Sequence, residues 1–450
     1  MEPHDALQQI LLTAKKSGIQ STAAGYRRTN KRMVRFSNNS ITVTNSWLSE
    51  TPTIYLVSEK RRAACVVEEQ NPDSLRKAVE ELATTMRLTP PGDVDFTFPR
   101  GPFKYQPIAG TYDEKIPQAE TELIDAVEAG VNAAKKEGAA RASGVVTTQT
   151  RERHVLTSDG SEGSDRNTEI AMTIRAFVDD DSSGQGIALA TNLRNFNPTE
   201  AGRTAGRIAK LASRPQPGQP GKYEVVFGPS ILANLLDRVG DSVSAYSVDL
   251  GLSFFQGMLK QRVASEAFTL IDNARLDHSP GSTTLDDEAY PTQENFLIRN
   301  GILETYLHTS YTAAKQKASL TGSASFETGI GGMTPAPHNI ILKPGESSLD
   351  DLIDTAHDGL YITNNWYTRF QNYRTGDFST IIRDGVFRIV NGKLAYPVKG
   401  LRLSDNMIRI LQSIKALSKE KYWLKWWEVN TPTLTPYALA EGIGITTANK

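Results

Sequence analysis

The residues best suited to acid–base or metal chemistry lie in one part of the chain. Three consecutive acidic residues, Asp286, Asp287 and Glu288, stand between His278 and His308. Histidines beside carboxylates can bind a metal ion or move a proton, so this set could serve an independent metal-dependent hydrolase. Their spacing matches no metal-binding motif, and acidic residues ahead of a strand commonly shape a turn and accept backbone hydrogen bonds. We therefore interpret Asp287 and Glu288 as structural, and we keep them as candidates for a substrate or partner surface.

The segment TGDFS at residues 375–379 contains four further candidates, Thr375, Gly376, Asp377 and Ser379. Gly376 permits a close approach of the backbone, and Asp377 and Ser379 could accept hydrogen bonds from nearby amides. The segment could line a substrate cleft or could simply lead into a strand. Its sequence does not decide between these two interpretations.

An aromatic segment, YWLKWW, lies near the C-terminus and contributes Trp423, Trp426 and Trp427. Large aromatic side chains are enriched at protein interfaces because they combine apolar area with a polar group. They also fill protein cores. A partner surface and core packing are therefore equal alternatives for these residues.

Composition limits the classes of partner. The 50 Lys and Arg residues nearly balance the 51 Asp and Glu residues, so net charge gives no reason to expect binding to nucleic acid or to an anionic membrane. Neither a signal peptide nor a run of about 18 apolar residues is present, so we expect a cytoplasmic protein that binds protein or peptide. Cys65 is the only cysteine, which excludes an intramolecular disulfide.

The sequence predicts two α+β domains, because 450 residues exceed the size at which one core stops growing. Residues 1–213 alternate helical patterns with β-prone runs, and a helix capped by Asp73 or Ser74 is expected to cover one face of a meander. The segment RPQPGQPGKY at 214–223 is the predicted linker, since its prolines and glycines stiffen and expose the backbone. Residues 224–450 form the predicted C-terminal domain.

Three turn dipeptides indicate that antiparallel sheet dominates the C-terminal domain. Asn300-Gly301, Asp384-Gly385 and Asn391-Gly392 each separate β-prone runs, and such dipeptides accept the positive φ angles of two-residue hairpin turns. We therefore predict a hairpin at each of them.

Several segments over residues 285–414 together resemble the TldD/PmbA family in order and spacing. They are LDDEAYPTQENFLIRNGILETYLHTSYTAAK, TGSAS, NIILKPGESSLDDLI, GLYI, TGDFS, RIVNGKLAYPVKG and LSDNMIRILQSI. The catalytic branch of that family carries HExxxH on the helix after the first strand of this domain, where two histidines bind zinc and the glutamate activates water. Here the stretch reads LDRVGD, so Leu236, Asp237 and Asp241 stand at the positions of the first histidine, the glutamate and the second histidine. The family's late cysteine ligand is also missing.

The resemblance implies the PmbA, or TldE, branch: a subunit without metal that pairs with a TldD-like subunit carrying HExxxH and zinc. We expect this chain to hold no cofactor and to help enclose peptides or unfolded protein segments that the partner cleaves, with a homodimer possible when it is alone. Two alternatives remain, the independent hydrolase described above and a regulatory binding protein in keeping with the family's older label of gyrase modulator.

Overall fold

The structure is a computed structural model that describes residues 2–69, 71–327 and 332–447. Its α-helices are α1 Pro3–Lys16, α2 Pro72–Leu88, α3 Thr121–Lys136, α4 Pro198–Leu211, α5 Pro229–Ser242, α6 Ala245–Asp249, α7 Ser310–Gln316, α8 Leu349–Ala356 and α9 Met407–Ser413. Its strands are β1 Ser21–Ser37, β2 Ser40–Ser58, β3 Arg61–Val66, β4 Arg141–Thr157, β5 Glu162–Phe177, β6 Ser183–Ala190, β7 Gln216–Pro217, β8 Gly221–Phe227, β9 Leu270–Asn273, β10 Glu294–Arg299, β11 Ile302–Leu303, β12 Ala324–Glu327, β13 Gly332–Pro335, β14 Ile340–Leu342, β15 Gly359–Asn372, β16 Asp377–Val390, β17 Lys393–Lys399, β18 Leu401–Asn406, β19 Ile414–Trp426 and β20 Val429–Thr447. The protein is therefore a mixed α+β fold, as the sequence predicts.

The first six strands form an antiparallel sheet in the order β3-β2-β1-β4-β5-β6, which we call the N-terminal sheet. Alternate residues such as Val34, Val146 and Met172 pack under α3 and α4, while α1 and α2 pack against the β3-side half of the sheet. Because side chains alternate between the two faces of a strand, the intervening residues are left for the opposite face. That face looks towards the C-terminal half of the chain.

The predicted cap of α2 is wrong. The side chain of Asn71 accepts a hydrogen bond from the Ser74 backbone N–H at 2.8 Å, so Asn71 is the N-cap rather than Asp73 or Ser74. Pro72 then occupies the first helical position, where a missing N–H does no harm. The helix starts earlier than predicted because the cap and the proline act together.

The remaining strands form the C-terminal sheet, of twelve strands, and a separate pair, β12-β13. Within the larger sheet β8, β15, β16, β18 and β20 pair in a closed ring. Their buried side chains join those of α5 and α9 in one apolar cluster. Helix α5, where the resemblance places the family's zinc motif, thus packs against a closed sheet.

Two of the three predicted hairpin turns are confirmed. Asn300-Gly301 joins β10 to β11 and Asn391-Gly392 joins β16 to β17, with positive φ at both residues of each turn. Asp384-Gly385 is not a turn, because it lies inside β16 and coincides with a shift of register against β15. The same positive φ angles, 55° and 108°, are used there to form a bulge.

The bulge directs Asp384 towards the N-terminal sheet. Its buried carboxylate accepts hydrogen bonds from Arg175 Nε at 2.6 Å and Ser183 Oγ at 2.7 Å. Asn364 Nδ2 donates to the second oxygen at 3.0 Å. A dipeptide that predicts a local turn therefore serves a contact between the two sheets.

The segment between the two sheets runs from the end of α4 at Leu211 to the start of β8 at Gly221. Within it β7 pairs with Val398 and Lys399 of β17, although most of the segment is exposed. A domain boundary at 214–223 remains a prediction. In the part of the chain that the structure describes, no helix is long and apolar enough to cross a membrane.

Candidate functional site

A polar cleft of about 360 Å3 lies between the N-terminal sheet and the C-terminal half. Strands β1, β4 and β5 form its floor. Its walls are the loop after β9, residues around β12 and β13, Lys425 of β19 and residues 430–432 of β20. An adjoining cavity of about 310 Å3 extends over the floor towards β2. The main cleft is lined by Arg27, Gln149, Arg151, Arg153, Asn167, Thr168, Glu169, Pro280, Gly281, Ser282, Thr283, Asp287, Ala324, Ser325, Ala336, Pro337, His338, Lys425, Asn430, Thr431 and Pro432.

The floor is polar because of strand alternation. Val146 of β4 points to the helices, so Gln149, Arg151 and Arg153 lie on the opposite face and line both cavities. In the register of the sheet, Arg151 lies between Thr29 of β1 and Asn167 of β5. A slip of one residue in β4 would exchange the two faces.

Asp287 joins the floor of the cleft to its wall. Its Oδ1 accepts a hydrogen bond from Arg153 Nη1 at 2.9 Å, and its Oδ2 accepts from Arg27 Nη2 at 3.0 Å and from the Phe326 backbone N–H at 2.8 Å. Burial alone would raise the pKa of Asp287, but Arg27 and then Arg153 outweigh it and hold the pKa below its ordinary range. Arg153 is also buried and pairs with Asp165 at 3.0 Å.

The carboxylates on either side of Asp287 have different partners. Asp286 accepts hydrogen bonds from the backbone N–H groups of Glu288 and Tyr290, both at 2.9 Å, and so shapes the turn. Glu288 accepts from the Ser310 backbone N–H and from its hydroxyl at 2.6 Å. Burial is the main cause that raises the pKa of Asp286 to about 6 and that of Glu288 to about 8. Three adjacent acids thus have three separate roles.

In the described part of the chain, neither histidine of the hypothetical hydrolase forms a hydrogen bond or an ion pair with these carboxylates. His278 is exposed, and its backbone N–H donates to the Ala109 carbonyl at 2.8 Å. His308 is buried, which lowers the pKa of its imidazole to about 4. Within residues 2–69, 71–327 and 332–447, no three His, Cys, Asp or Glu side chains are grouped so that they could hold a metal ion.

The three residues that the resemblance places at the family's zinc motif have other contacts. Leu236 is fully buried in the apolar cluster of the C-terminal sheet. Asp237, whose pKa is raised chiefly by burial, accepts hydrogen bonds from the backbone N–H groups of Asn430 at 3.3 Å and Thr431 at 3.0 Å. Asp241 is exposed and pairs with the neighbouring Arg238 at 3.1 Å. Because Asn430 and Thr431 line the cleft, helix α5 supports the wall through Asp237.

Two further charged residues on the cleft surface form an ion pair. Lys425 Nζ of β19 lies 2.7 Å from Glu169 Oε2 of β5, across the space between the two sheets. Sequence reasoning missed this pair and also missed Arg27, Arg151 and Arg153. The alternating Arg151 and Arg153 in β4 were the available signal, but the sequence does not show which strands oppose them.

The TGDFS segment enters β16 and does not line the two cavities described above. Gly376 has a φ of 81°, and the Asp377 carboxylate accepts hydrogen bonds from Thr375 Oγ1 at 2.5 Å and Asn406 Nδ2 at 3.0 Å. Ser379 is buried within the strand. These contacts tie the start of β16 to the cap of α9.

The aromatic segment divides between core and surface. Trp426 is buried with Ala233, and Trp423 is half-buried on β19. Trp427 is 53% exposed and stands edge-to-face against Trp366 with ring centroids 5.5 Å apart. Trp426 ends β19 and Trp427 lies in the turn that follows, so residues that the sequence presents as one cluster have different surroundings.

Two family models together match most of the chain. The model for the PmbA/TldA metallopeptidase central domain matches residues 110–212, and the model for the C-terminal domain of the same metallopeptidases matches residues 220–447.

Individual relatives and structures are also similar. A metalloprotease from Methanocaldococcus jannaschii is 31% identical over 226 residues, covering 49% of this chain and 48% of that protein. A metalloprotease TldD homolog from Buchnera aphidicola is 28% identical over 283 residues, covering 59% of this chain and 58% of the relative. The chain thus spans about half the length of the curated relatives it matches. The crystal structure of TldE from Thermococcus kodakarensis is 20% identical and matches with a TM-score of 0.87 over 98% of this chain and 100% of that one, which shows a shared fold.

Proposed function

Since the chain belongs to the TldD/PmbA family of metallopeptidases, we propose that it is the non-metal subunit of a heteromeric, zinc-dependent peptidase of the TldD/TldE type. In this proposal a TldD-like subunit with HExxxH holds the zinc. This chain supplies part of the enclosure for peptides or unfolded protein segments.

One observation carries the proposal: the positions of the family's zinc motif support the cleft instead of offering ligands to it. Leu236 belongs to the core, and both carboxylate oxygens of Asp237 accept backbone hydrogen bonds from the wall. Asp241 lies at the surface beside Arg238. The helix is kept for its structural role, while a zinc site needs about three protein ligands.

The N-terminal sheet offers a way for a peptide to be held. Strand β2 pairs with β1 along its length, but β3 covers its other edge only from Thr53 onward. No strand of the described chain pairs with that edge at residues 40–51, and residues 40–49 carry no charge to block strand addition. Ser49 and Thr51 of this edge line the adjoining cavity. An extended peptide can therefore add to the edge through backbone hydrogen bonds and reach the cleft.

The test is peptide cleavage by three preparations: this chain, a TldD-like subunit with HExxxH, and their mixture, each with and without a zinc chelator. We expect a stable hetero-oligomer and chelator-sensitive cleavage from the mixture, and no cleavage by this chain alone. A matched substitution of the partner's HExxxH glutamate should abolish cleavage without preventing assembly, because that residue activates water.

Two outcomes would contradict the proposal. Chelator-sensitive cleavage by this chain alone would favour the independent hydrolase. Equal cleavage by the metal-bearing subunit with and without this chain would favour a regulatory binding protein.

A further inference from the structure

We propose that Arg151 binds a carboxylate of the peptide in the cleft, so that the site selects peptides with a free C-terminus or an acidic side chain. This inference rests on the proposed function, because it specifies the class of peptide that the same cleft receives.

Of the lysines and arginines that line the cleft, Arg151 is the one without an ion-pair partner among the described residues. Arg153 pairs with Asp165 and Asp287, Arg27 pairs with Asp287, and Lys425 pairs with Glu169. Among the described residues, none forms a hydrogen bond or an ion pair with the side chain of Arg151, which is exposed to the cleft. The pairings therefore leave one positive charge on the floor.

The surroundings make an anion favourable at this position. Removal from water, followed by the positive charge of Arg27, lowers the pKa of the Arg151 guanidinium, although the negative charges of Glu169 and Asp287 oppose this. A negative group beside it would offset the repulsion between the two arginines. The attraction between this negative group and Arg151 would also be stronger than at an open surface, because protein on several sides of the cleft lowers the effective dielectric constant.

The chemistry of the guanidinium favours a carboxylate. Its planar fork presents parallel N–H donors that match the two oxygens of a carboxylate, and such bidentate bonds are stronger than neutral ones. Arg151 lines both cavities, so a peptide held there can extend across the floor. Two strand spacings, β4 to β1 and β1 to β2, separate it from the open edge, a span of about 10 Å or about three extended residues.

The experiment measures binding of fluorescein-labelled heptapeptides to the full-length chain by anisotropy. Three peptides share one sequence of Gly, Ser and Ala: one ends in a free carboxylate, one ends in an amide, and one ends in an amide and carries an internal glutamate. We expect the free-acid peptide, the glutamate peptide or both to bind about tenfold or more tightly than the neutral amide. The difference should shrink as salt is raised.

The variant Arg151→Gln should remove this preference, so that the free-acid, glutamate and neutral peptides bind alike. The matched control is Arg35→Gln, because Arg35 is an exposed arginine of the same sheet that lines neither of these two cavities. It should keep the preference. Arg151→Lys should retain part of it, since the charge remains but the fork is lost.

The outcomes separate this inference from the proposed function. Equal binding of all three peptides, or a preference that survives Arg151→Gln, would overturn the inference while leaving the peptide-binding role intact. Equal weakening of acid and amide peptides by Arg151→Gln would also overturn it, because a merely structural role predicts that result. No binding of any peptide would overturn this inference, while cleavage by the mixture of subunits still tests the proposed function.

Discussion

The substitution Asp287→Asn tests whether the two sheets are joined through the floor of the cleft. Asparagine keeps the shape and one acceptor oxygen, so the hydrogen bond from the Phe326 N–H can survive while the charge is lost. Two arginines then lose a counter-charge. We expect the free energy of unfolding to fall.

The size of the loss follows from the exposure of each pair. The side chains of Arg153 and Asp287 are 11% and 8% exposed, and removing one partner of such a buried pair typically costs about 3 to 5 kcal/mol. Asp165 remains beside Arg153 and reduces that loss. Arg27 is 37% exposed, so solvent screens its pair with Asp287 and limits it to about 1 kcal/mol or less. The expected total is about 2 to 4 kcal/mol.

The dependence on pH has a definite sign. The folded pKa of Asp287 lies below the unfolded value of about 3.9, so its stabilisation is present above that value and is lost as pH falls through the folded pKa. The gap between wild type and Asp287→Asn should therefore stay constant from about pH 5 to pH 8 and close only below about pH 4.

Urea unfolding at several pH values, followed by tryptophan fluorescence, measures this gap, and Asp241→Asn serves as the matched control. Asp241 is an exposed acid, so its substitution should change stability by less than about 0.5 kcal/mol. An equally small effect of Asp287→Asn, or a gap that widens in acid, would show that the Asp287 ion pairs do not stabilise the fold.

Three other predictions concern Glu288, Asp237 and the segment between the two sheets. Glu288→Gln should abolish most of a decline in stability between about pH 4.3 and pH 8, because a folded pKa raised to about 8 makes stability fall as pH rises through that range; an unchanged decline in urea unfolding would contradict this. Asp237→Ala should lower the free energy of unfolding by about 1 to 3 kcal/mol, since two backbone N–H groups lose their acceptor, and Asp241→Ala should barely change it. Limited proteolysis should first cut at residues 214–223, where the backbone is mostly exposed; first cuts inside 379–398 would show that the boundary is wrong.

Local patterns in the sequence predict helices, strands and two hairpin turns because these features depend on neighbouring residues. The dipeptide Asp384-Gly385 shows the limit of such patterns. Its positive φ angles suit a turn and a bulge equally, and contacts with Arg175 and Ser183 decide in favour of the bulge. Those contacts join residues about 200 positions apart, which no local pattern reveals.

The candidate site shows the same limit of local sequence patterns. A structural role of Asp287 is predictable from its place before a strand, whereas its ion pairs depend on how β1 and β4 face the C-terminal half. From the sequence, the resemblance predicts only that Asp237 stands where the family's catalytic branch has the glutamate that activates water. The hydrogen bonds of Asp237 to the cleft wall require the fold.

Elemental analysis of zinc in this chain, in the TldD-like subunit and in their complex tests whether the partner, and not this chain, holds the metal. We expect no stoichiometric zinc in this chain and about one zinc per metal-bearing subunit in the complex, with no change on substituting His278 or His308 here. About one tightly held zinc per isolated chain, lost on substituting His278 or His308, would contradict it.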